Sequence, residues 1–218
     1  MKIGVVIPAL NEEPTIRQVL EAVCEAGYEF QSVVVADGST DKTADIAREF
    51  QGVQVLQHDE NFGKGAAMAS GVEILDPEVI LFLDGDLIGL RAEHIKDLIE
   101  PVASGSCEMN VGVFGDGRFW SDTAQRVSPE LSGQRALVRE IWNSINDPRS
   151  CRLGIEVAIN LAAKKRGDRV NRCVLQGVSH RHKEQKLGLV RGAQARAKMY
   201  AEIGRTYFIV KRENERDE

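Results

Sequence analysis

Residues 79–86 read VILFLDGD. Val79 to Leu83 are all large and apolar, and a run that short and continuous suits a strand buried on both faces. Asp84 and Asp86 follow it, one on each side of Gly85. A tight turn at the glycine brings both carboxylates toward one point at the strand's C-terminal end, and a hard divalent cation takes oxygen ligands of that kind. In an open α/β sheet this is also the edge where ligands bind. Read alone, Asp-Gly-Asp is equally a polar turn that ends a strand. The surrounding chain decides between the two.

Working back to the N-terminus, KIGVVIP (2–8) predicts a first strand stopped by Pro8, which cannot donate to a sheet ladder. Pro14 opens a helix in which Ile16, Val19, Leu20 and Val23 recur at helical spacing until Gly27 ends it. QSVVVADGSTDKT then predicts a buried strand at Val33 to Val35, a Gly-containing turn, and a helix capped by Ser39, Thr40 or Asp41. A third strand falls at residues 51–57. NFGKGAAMASGVEIL supplies a Gly-rich loop and a helix of small residues able to pack closely on a sheet. Strand and helix alternate four times up to VILF, which predicts an α/β fold: a doubly wound, mostly parallel sheet with right-handed crossovers and helices on both faces.

Composition narrows the function classes. A chain of 218 residues with 43% hydrophobic residues can bury a full core. No stretch approaches the roughly 20 apolar residues of a membrane span. The opening MKIGVVIPAL is too short for a secretory leader, and Cys24, Cys107, Cys151 and Cys173 lie far apart, which together predict a reduced, cytoplasmic protein. Residues 1–100 carry 7 Lys/Arg against 19 Asp/Glu, whereas residues 101–218 carry 21 against 14. An acidic half holding a cation site beside a basic half suits a phosphate-bearing substrate between them, and nothing points to nucleic acid. There is no GxxxxGK[ST] loop and no GxGxxG after the first strand; Gly63-Lys64-Gly65 is not a Walker motif. A nucleotidyltransferase would need a glycine-rich basic loop after the first strand, and PALNEE is acidic and glycine-free.

Three loops leave the C-terminal strand ends with groups that a nucleotide needs. Glu12 and Asp37 can accept hydrogen bonds from ribose or base, and Lys64 between two glycines can bring a positive charge to base or phosphate. Each also has a plain structural reading: a helix N-terminal charge, a turn residue, a solvated lysine.

The succession VVIPALNEEPTI, VVVADGSTDKT, NFGKGAAM and ILFLDGDL resembles the nucleotide-sugar-binding half of GT-A glycosyltransferases, in particular family 2 enzymes such as dolichyl-phosphate mannosyltransferases, and the related glucosyl-3-phosphoglycerate synthases. The resemblance implies that Pro8, Ala9, Leu10, Glu12, Asp37 and Lys64 hold the nucleotide. It makes Asp84-Gly85-Asp86 a DxD motif, with Asp86 the direct ligand of a Mg²⁺ or Mn²⁺ that bridges the donor diphosphate.

The second half is less regular. A helix is predicted over 92–99 and a strand over 108–113, followed by a loop containing Arg118, Trp120 and Arg126 that offers acceptor contacts. LSGQRALVREIW reads as a helix capped by Ser132; by resemblance, Leu131, Ser132, Gly133 and Gln134 lie beside the donor sugar. CRLGIEVAINLAAKKRG predicts a mostly buried helix with Glu156 amid apolar neighbours. A buried carboxylate needs a partner, so Glu156 is either ion-paired, with Arg135 or Arg152, or held at a raised pKa. The segment also resembles the family's GxxxE segment, which implies that Glu156 lies near the acceptor and, if the enzyme inverts, is its general base. A strand is predicted at 173–178, and the resemblance then places His180 as the third metal ligand, with His182 in reserve. Residues 186–207 read as a basic helix that packs on the domain with its charges in water, or that meets a phosphorylated acceptor or, peripherally, an anionic membrane surface; a homodimer is also open. The last six residues, 213–218, read as disordered.

These readings predict a metal-dependent glycosyltransferase. Residues 1–100 form the donor-binding half and 101–212 the acceptor-binding half of one GT-A domain. UDP-glucose is the first donor to try, with GDP-mannose open, and the acceptor is a hydroxyl or phosphorylated small molecule. Transfer to a polyprenyl phosphate at the membrane surface and a non-catalytic nucleotide-sugar binding module are the alternatives.

Overall fold

A computed structural model describes residues 1–115 and 132–181. Strands β1 (Ile3–Ala9), β2 (Gln31–Asp37), β3 (Val53–His58) and β4 (Val79–Phe82) alternate with helices α1 (Ile16–Glu25), α2 (Thr43–Arg48) and α3 (Lys64–Leu75). After a short β5 (Leu87–Ile88) come α4 (Ala92–Ala103), β6 (Met109–Phe114), β7 (Arg135–Val138), α5 (Arg139–Asn143), a 3₁₀ segment (Pro148–Gly154), α6 (Ile155–Arg166), β8 (Val170–Leu175) and β9 (Ser179–His180).

Seven strands form one sheet in the order β3-β2-β1-β4-β7-β6-β8, and β5 pairs with β9 in a separate ribbon. The pairs β3-β2-β1-β4 and β6-β8 are parallel; β7 alone runs against its neighbours. The α/β, mostly parallel architecture expected from the sequence is therefore present. The sheet also continues past residue 100 without a break, because β7, β6 and β8 extend the same surface.

Both faces are covered, which explains the continuous apolar strands. Val5 and Ile7 of β1 pack with α1 and α4, while Val6 between them packs with α3 and α6. All three are fully buried. The α1 face carrying Ile16, Val19, Leu20 and Val23 is the one turned inward, as its spacing predicts.

Four expectations are corrected. Pro8 does not stop β1, which runs on to Ala9 and pairs Pro8 with Val35. Its missing N–H carries no penalty there, since β4 pairs with β1 only as far as Val6 and leaves that side open. GQRALVREIW is not one helix: Arg135–Val138 is a strand between β4 and β6, with α5 following. Burial of Ala136 and Leu137 in the sheet overrides their helical propensity. In CRLGIEVAIN the α-helix starts only at Ile155, after the 3₁₀ segment, and Arg152 within that segment has φ 46° and ψ −118°. Finally, β8 ends at Leu175 rather than 178, because its register with β6 closes at Phe114↔Leu175 and Gly177 turns the chain with φ 75°.

Candidate active site

The parallel strands β1 to β4 all end on one edge, and the loops leaving it are stitched together by hydrogen bonds. Asn11 donates its N–H to Ser39 Oγ (3.1 Å) and accepts from Thr40 N–H (2.9 Å), joining the loops after β1 and β2. Glu12 N–H donates to Thr43 Oγ1 (2.8 Å). Asp37 accepts from the N–H groups of Phe62 (3.0 Å) and Gly63 (2.8 Å), joining the β2 end to the loop before α3. Thr15 Oγ1 donates to the Gly85 carbonyl (2.8 Å) and so holds the Asp84-Gly85-Asp86 turn. Gly85 packs closely there: a Cβ would lie 3.2 Å from Ala9 Cβ and 3.3 Å from Glu12 Cγ.

The ribbon of β5 and β9 brings in the histidine. Its register sets His180 opposite Leu87, one residue beyond Asp86, and Arg181 N–H donates to the Asp86 carbonyl (2.9 Å). His180 Nδ1 lies 2.9 Å from Asp86 Oδ1, and its Nε2 lies 3.9 Å from Asp84 Oδ2. One ligand atom from each of Asp84, Asp86 and His180 falls within 4.8 Å of the other two. Two hard oxygens and one imidazole nitrogen suit Mn²⁺ and Mg²⁺, and three protein ligands leave positions for phosphate oxygens. The residues therefore fit the cation that the DxD motif implies.

Lys64 completes the cleft. It opens α3, and its Nζ lies 2.5 Å from Asp84 Oδ1 and 2.5 Å from Glu156 Oε1. Glu156, in the first turn of α6, is thus ion-paired, with Lys64 as a partner that the sequence did not suggest. Burial would push the Lys64 ammonium down, but Asp84 and Glu156 outweigh it and raise it above its usual range. Burial would likewise raise the Asp84 carboxyl; Lys64 and then His180 reverse that and hold it at about 2. Burial also opposes protonation of His180, yet the hydrogen bond to Asp86 and the charges of Asp86 and Asp84 raise it overall.

Gln134 is fully buried; its Nε2 donates to Asp84 Oδ2 (2.7 Å), and its Oε1 accepts from Ser132 Oγ (2.8 Å). Gly133 lies against Asp84 and Lys64, where any Cβ would collide with both. Arg135, also fully buried, donates to Asn160 Oδ1 (2.9 Å) and to the Ser132 and Glu156 carbonyls.

Lys64, Asp84, Gly85, Asp86, Ser132, Gly133, Gln134, Glu156 and His180 are therefore brought together. Glu12 borders this group beside Gly85. Pro8 and Ala9 end β1 on the same edge, and Leu10 follows them, exposed. Asp37 is set apart: it is buried, and its carboxylate clamps the Phe62-Gly63 backbone and pairs with His58 Nδ1 (2.7 Å). Leu131, His182, Arg118, Trp120, Arg126 and the basic tail lie outside the described residues. Thr15 and His58 were not singled out in the sequence, and no local signal marks either.

A sheet of this order, with paired aspartates at the end of β4 and a histidine carried back to them, is a GT-A fold. Residues 4–160 match the glycosyl transferase family 2 profile, and the chain belongs to that family. It is 37% identical over 117 residues to an uncharacterized protein of Methanocaldococcus jannaschii, covering 51% of this chain and 46% of that protein. It is 35% identical over 112 residues to the undecaprenyl-phosphate 4-deoxy-4-formamido-L-arabinose transferase of Pseudomonas aeruginosa, covering 47% and 33%. The chain thus spans less than half the length of these curated relatives. Among solved structures it is similar to glucosyl-3-phosphoglycerate synthase of Mycobacterium tuberculosis in complex with Mn²⁺, UDP-glucose and phosphoglyceric acid, with TM-score 0.70, 24% identity, 93% of this chain and 80% of that one covered. That likeness is one of fold. Among the described residues no helix is long and apolar enough to cross a membrane.

Proposed function

We propose that this chain transfers a hexose from a nucleoside-diphosphate sugar, UDP-glucose being the first donor to test, to a small acceptor bearing a hydroxyl or phosphate. The observation that carries the reading is the Asp84, Asp86 and His180 cluster at the edge where the loops after β1 to β4 meet. A divalent cation held by these three residues would neutralise the charge that develops on the departing nucleoside diphosphate. The chain's own residues supply the rest. Gln134 fixes the Asp84 carboxylate, Lys64 is ion-paired to it, and Thr15 fixes the turn that carries Asp86. Pro8, Ala9, Leu10 and Glu12 border the nucleoside, and Asp37 acts on it through the loop it clamps. Ser132 and Gly133 border the donor sugar. Glu156 faces the acceptor and takes its hydroxyl proton if the anomeric centre inverts.

The test is a thermal-shift panel of UDP-, GDP- and dTDP-sugars with and without Mn²⁺. One donor that stabilises the protein only with metal present is the expected result. If no sugar nucleotide stabilises it at any metal concentration, the reading fails.

A polyprenyl-phosphate acceptor is the second reading, supported by the Pseudomonas aeruginosa relative. Phosphoglyceric acid and a short-chain polyprenyl phosphate, offered with the same labelled donor, distinguish the two.

A further inference from the structure

Lys64 stands where a cation site and a diphosphate site meet. Its ammonium holds Asp84 Oδ1 and Glu156 Oε1 at 2.5 Å each, while Gln134 holds Asp84 Oδ2 at 2.7 Å. Both oxygens of the first DxD aspartate are therefore engaged by protein donors. A divalent ion entering among Asp84, Asp86 and His180 takes a lone pair on a carboxylate that Lys64 already neutralises, and it meets a second positive charge across that carboxylate. The Gly133 backbone closes in on Lys64 and Asp84 from one side, so the ammonium cannot retreat in that direction. A donor diphosphate supplies the anionic oxygens that an ammonium displaced from Asp84 would need.

We propose that Lys64 is a resident counter-ion of the cleft, which the metal and the donor diphosphate displace together. Lys64 leaves Asp84 for the phosphates, and Glu156 loses its ion pair at the same step. This rests on the reading of Asp84, Asp86 and His180 as the metal site. Two consequences distinguish it from a lysine that only touches phosphate. Metal alone binds weakly because Lys64 competes with it, and metal and nucleotide bind with positive coupling. The carboxylate that faces the acceptor is also uncovered only when the donor is in place, so a metal-loaded protein without donor keeps Glu156 paired.

The experiment titrates Mn²⁺ alone, reading free Mn²⁺ by electron paramagnetic resonance, into the wild-type chain, Lys64→Met, Glu156→Gln, the Lys64→Met/Glu156→Gln pair and Asp86→Ala, and repeats each titration with UDP. Lys64→Met should bind Mn²⁺ alone about tenfold tighter than wild type and lose most of the tightening that UDP gives. Because Lys64→Met strands two buried carboxylates, the double variant serves as the folded counterpart, since one charge of each sign is removed. It should bind Mn²⁺ alone tighter than Glu156→Gln does. Equal or weaker Mn²⁺ binding by the lysine variants overturns the inference, because a lysine that merely steadies Asp84 for the metal gives that sign. Asp86→Ala binding Mn²⁺ like wild type would overturn the metal site itself and the inference with it.

Discussion

Asp84 and Asp86 are two positions apart and have different neighbours. Asp84 is held by Lys64 and Gln134, Asp86 by His180. Removing Asp86 takes away one of the three proposed metal ligands and leaves the core untouched, so Asp86→Ala should lower metal-dependent transfer by about 100-fold or more with a melting temperature close to wild type. Wild-type turnover by that variant would count decisively against the DxD assignment. Arg135 behaves in the opposite way. Its buried guanidinium satisfies the Ser132 and Glu156 carbonyls and Asn160, so Arg135→Leu strands buried acceptors and should cost about 1–3 kcal/mol of stability, read by urea unfolding. At this scale a short motif and the resemblance sufficed to single out Asp84, Asp86 and His180, which the structure brings within 4.8 Å of one another. It was silent on the Lys64–Glu156 pair, because those residues are 92 positions apart and meet only once α3 and α6 pack on the same face. It was equally silent on Thr15, whose hydroxyl looks like any helix-start residue until the DxD turn folds over it.

Strands and helices were legible where both faces are buried, since β1, β2 and β4 are continuous apolar runs. The errors fall where tertiary pairing overrides local pattern: β7 was read as helix, and β1 was cut short at Pro8. Two elements invite tests. Gly89 has φ 76°, and a Cβ there would run into the Gly177 carbonyl oxygen, so Gly89→Ala forces β5 away from β9. That ribbon carries His180, so Mn²⁺ affinity should fall by about tenfold while far-ultraviolet circular dichroism stays unchanged. Gly71 lies in the interior of α3, where alanine normally adds about 1 kcal/mol of helix stability. Here a Cβ would lie 2.5 Å from Val6 Cγ1 and 3.1 Å from Val33 Cγ1, in a fully packed layer. Overpacking costs about 1–3 kcal/mol. The clash therefore wins, and Gly71→Ala should lower the urea midpoint; a rise would show that the sheet yields.

Across the whole molecule, one sheet joins the acidic and basic halves, and its outermost described strand, β8, is tied to β6 by a charged clamp at their shared start. Arg169 Nη2 lies 2.6 Å from Glu108 Oε1, its Nε donates to Glu108 Oε2 (3.2 Å), and its backbone N–H donates to the same oxygen (2.7 Å). The side-chain hydrogen bond from Arg169, then the backbone one, hold the Glu108 carboxyl at about 2, well below the usual carboxylate range. A depressed folded-state value means that the clamp contributes stability above the unfolded carboxyl's pKa of about 4.3 and loses it as pH falls toward 2. The pair is exposed, so the effect is small and screened by salt. The melting temperature of the wild-type chain should therefore drop more between pH 6 and pH 3 than that of Glu108→Gln, and the difference between the two should narrow in about 1 M salt, where the Debye length is about 3 Å. Parallel melting curves for the two proteins across that pH range would show that Glu108 does not tie β8 to the sheet.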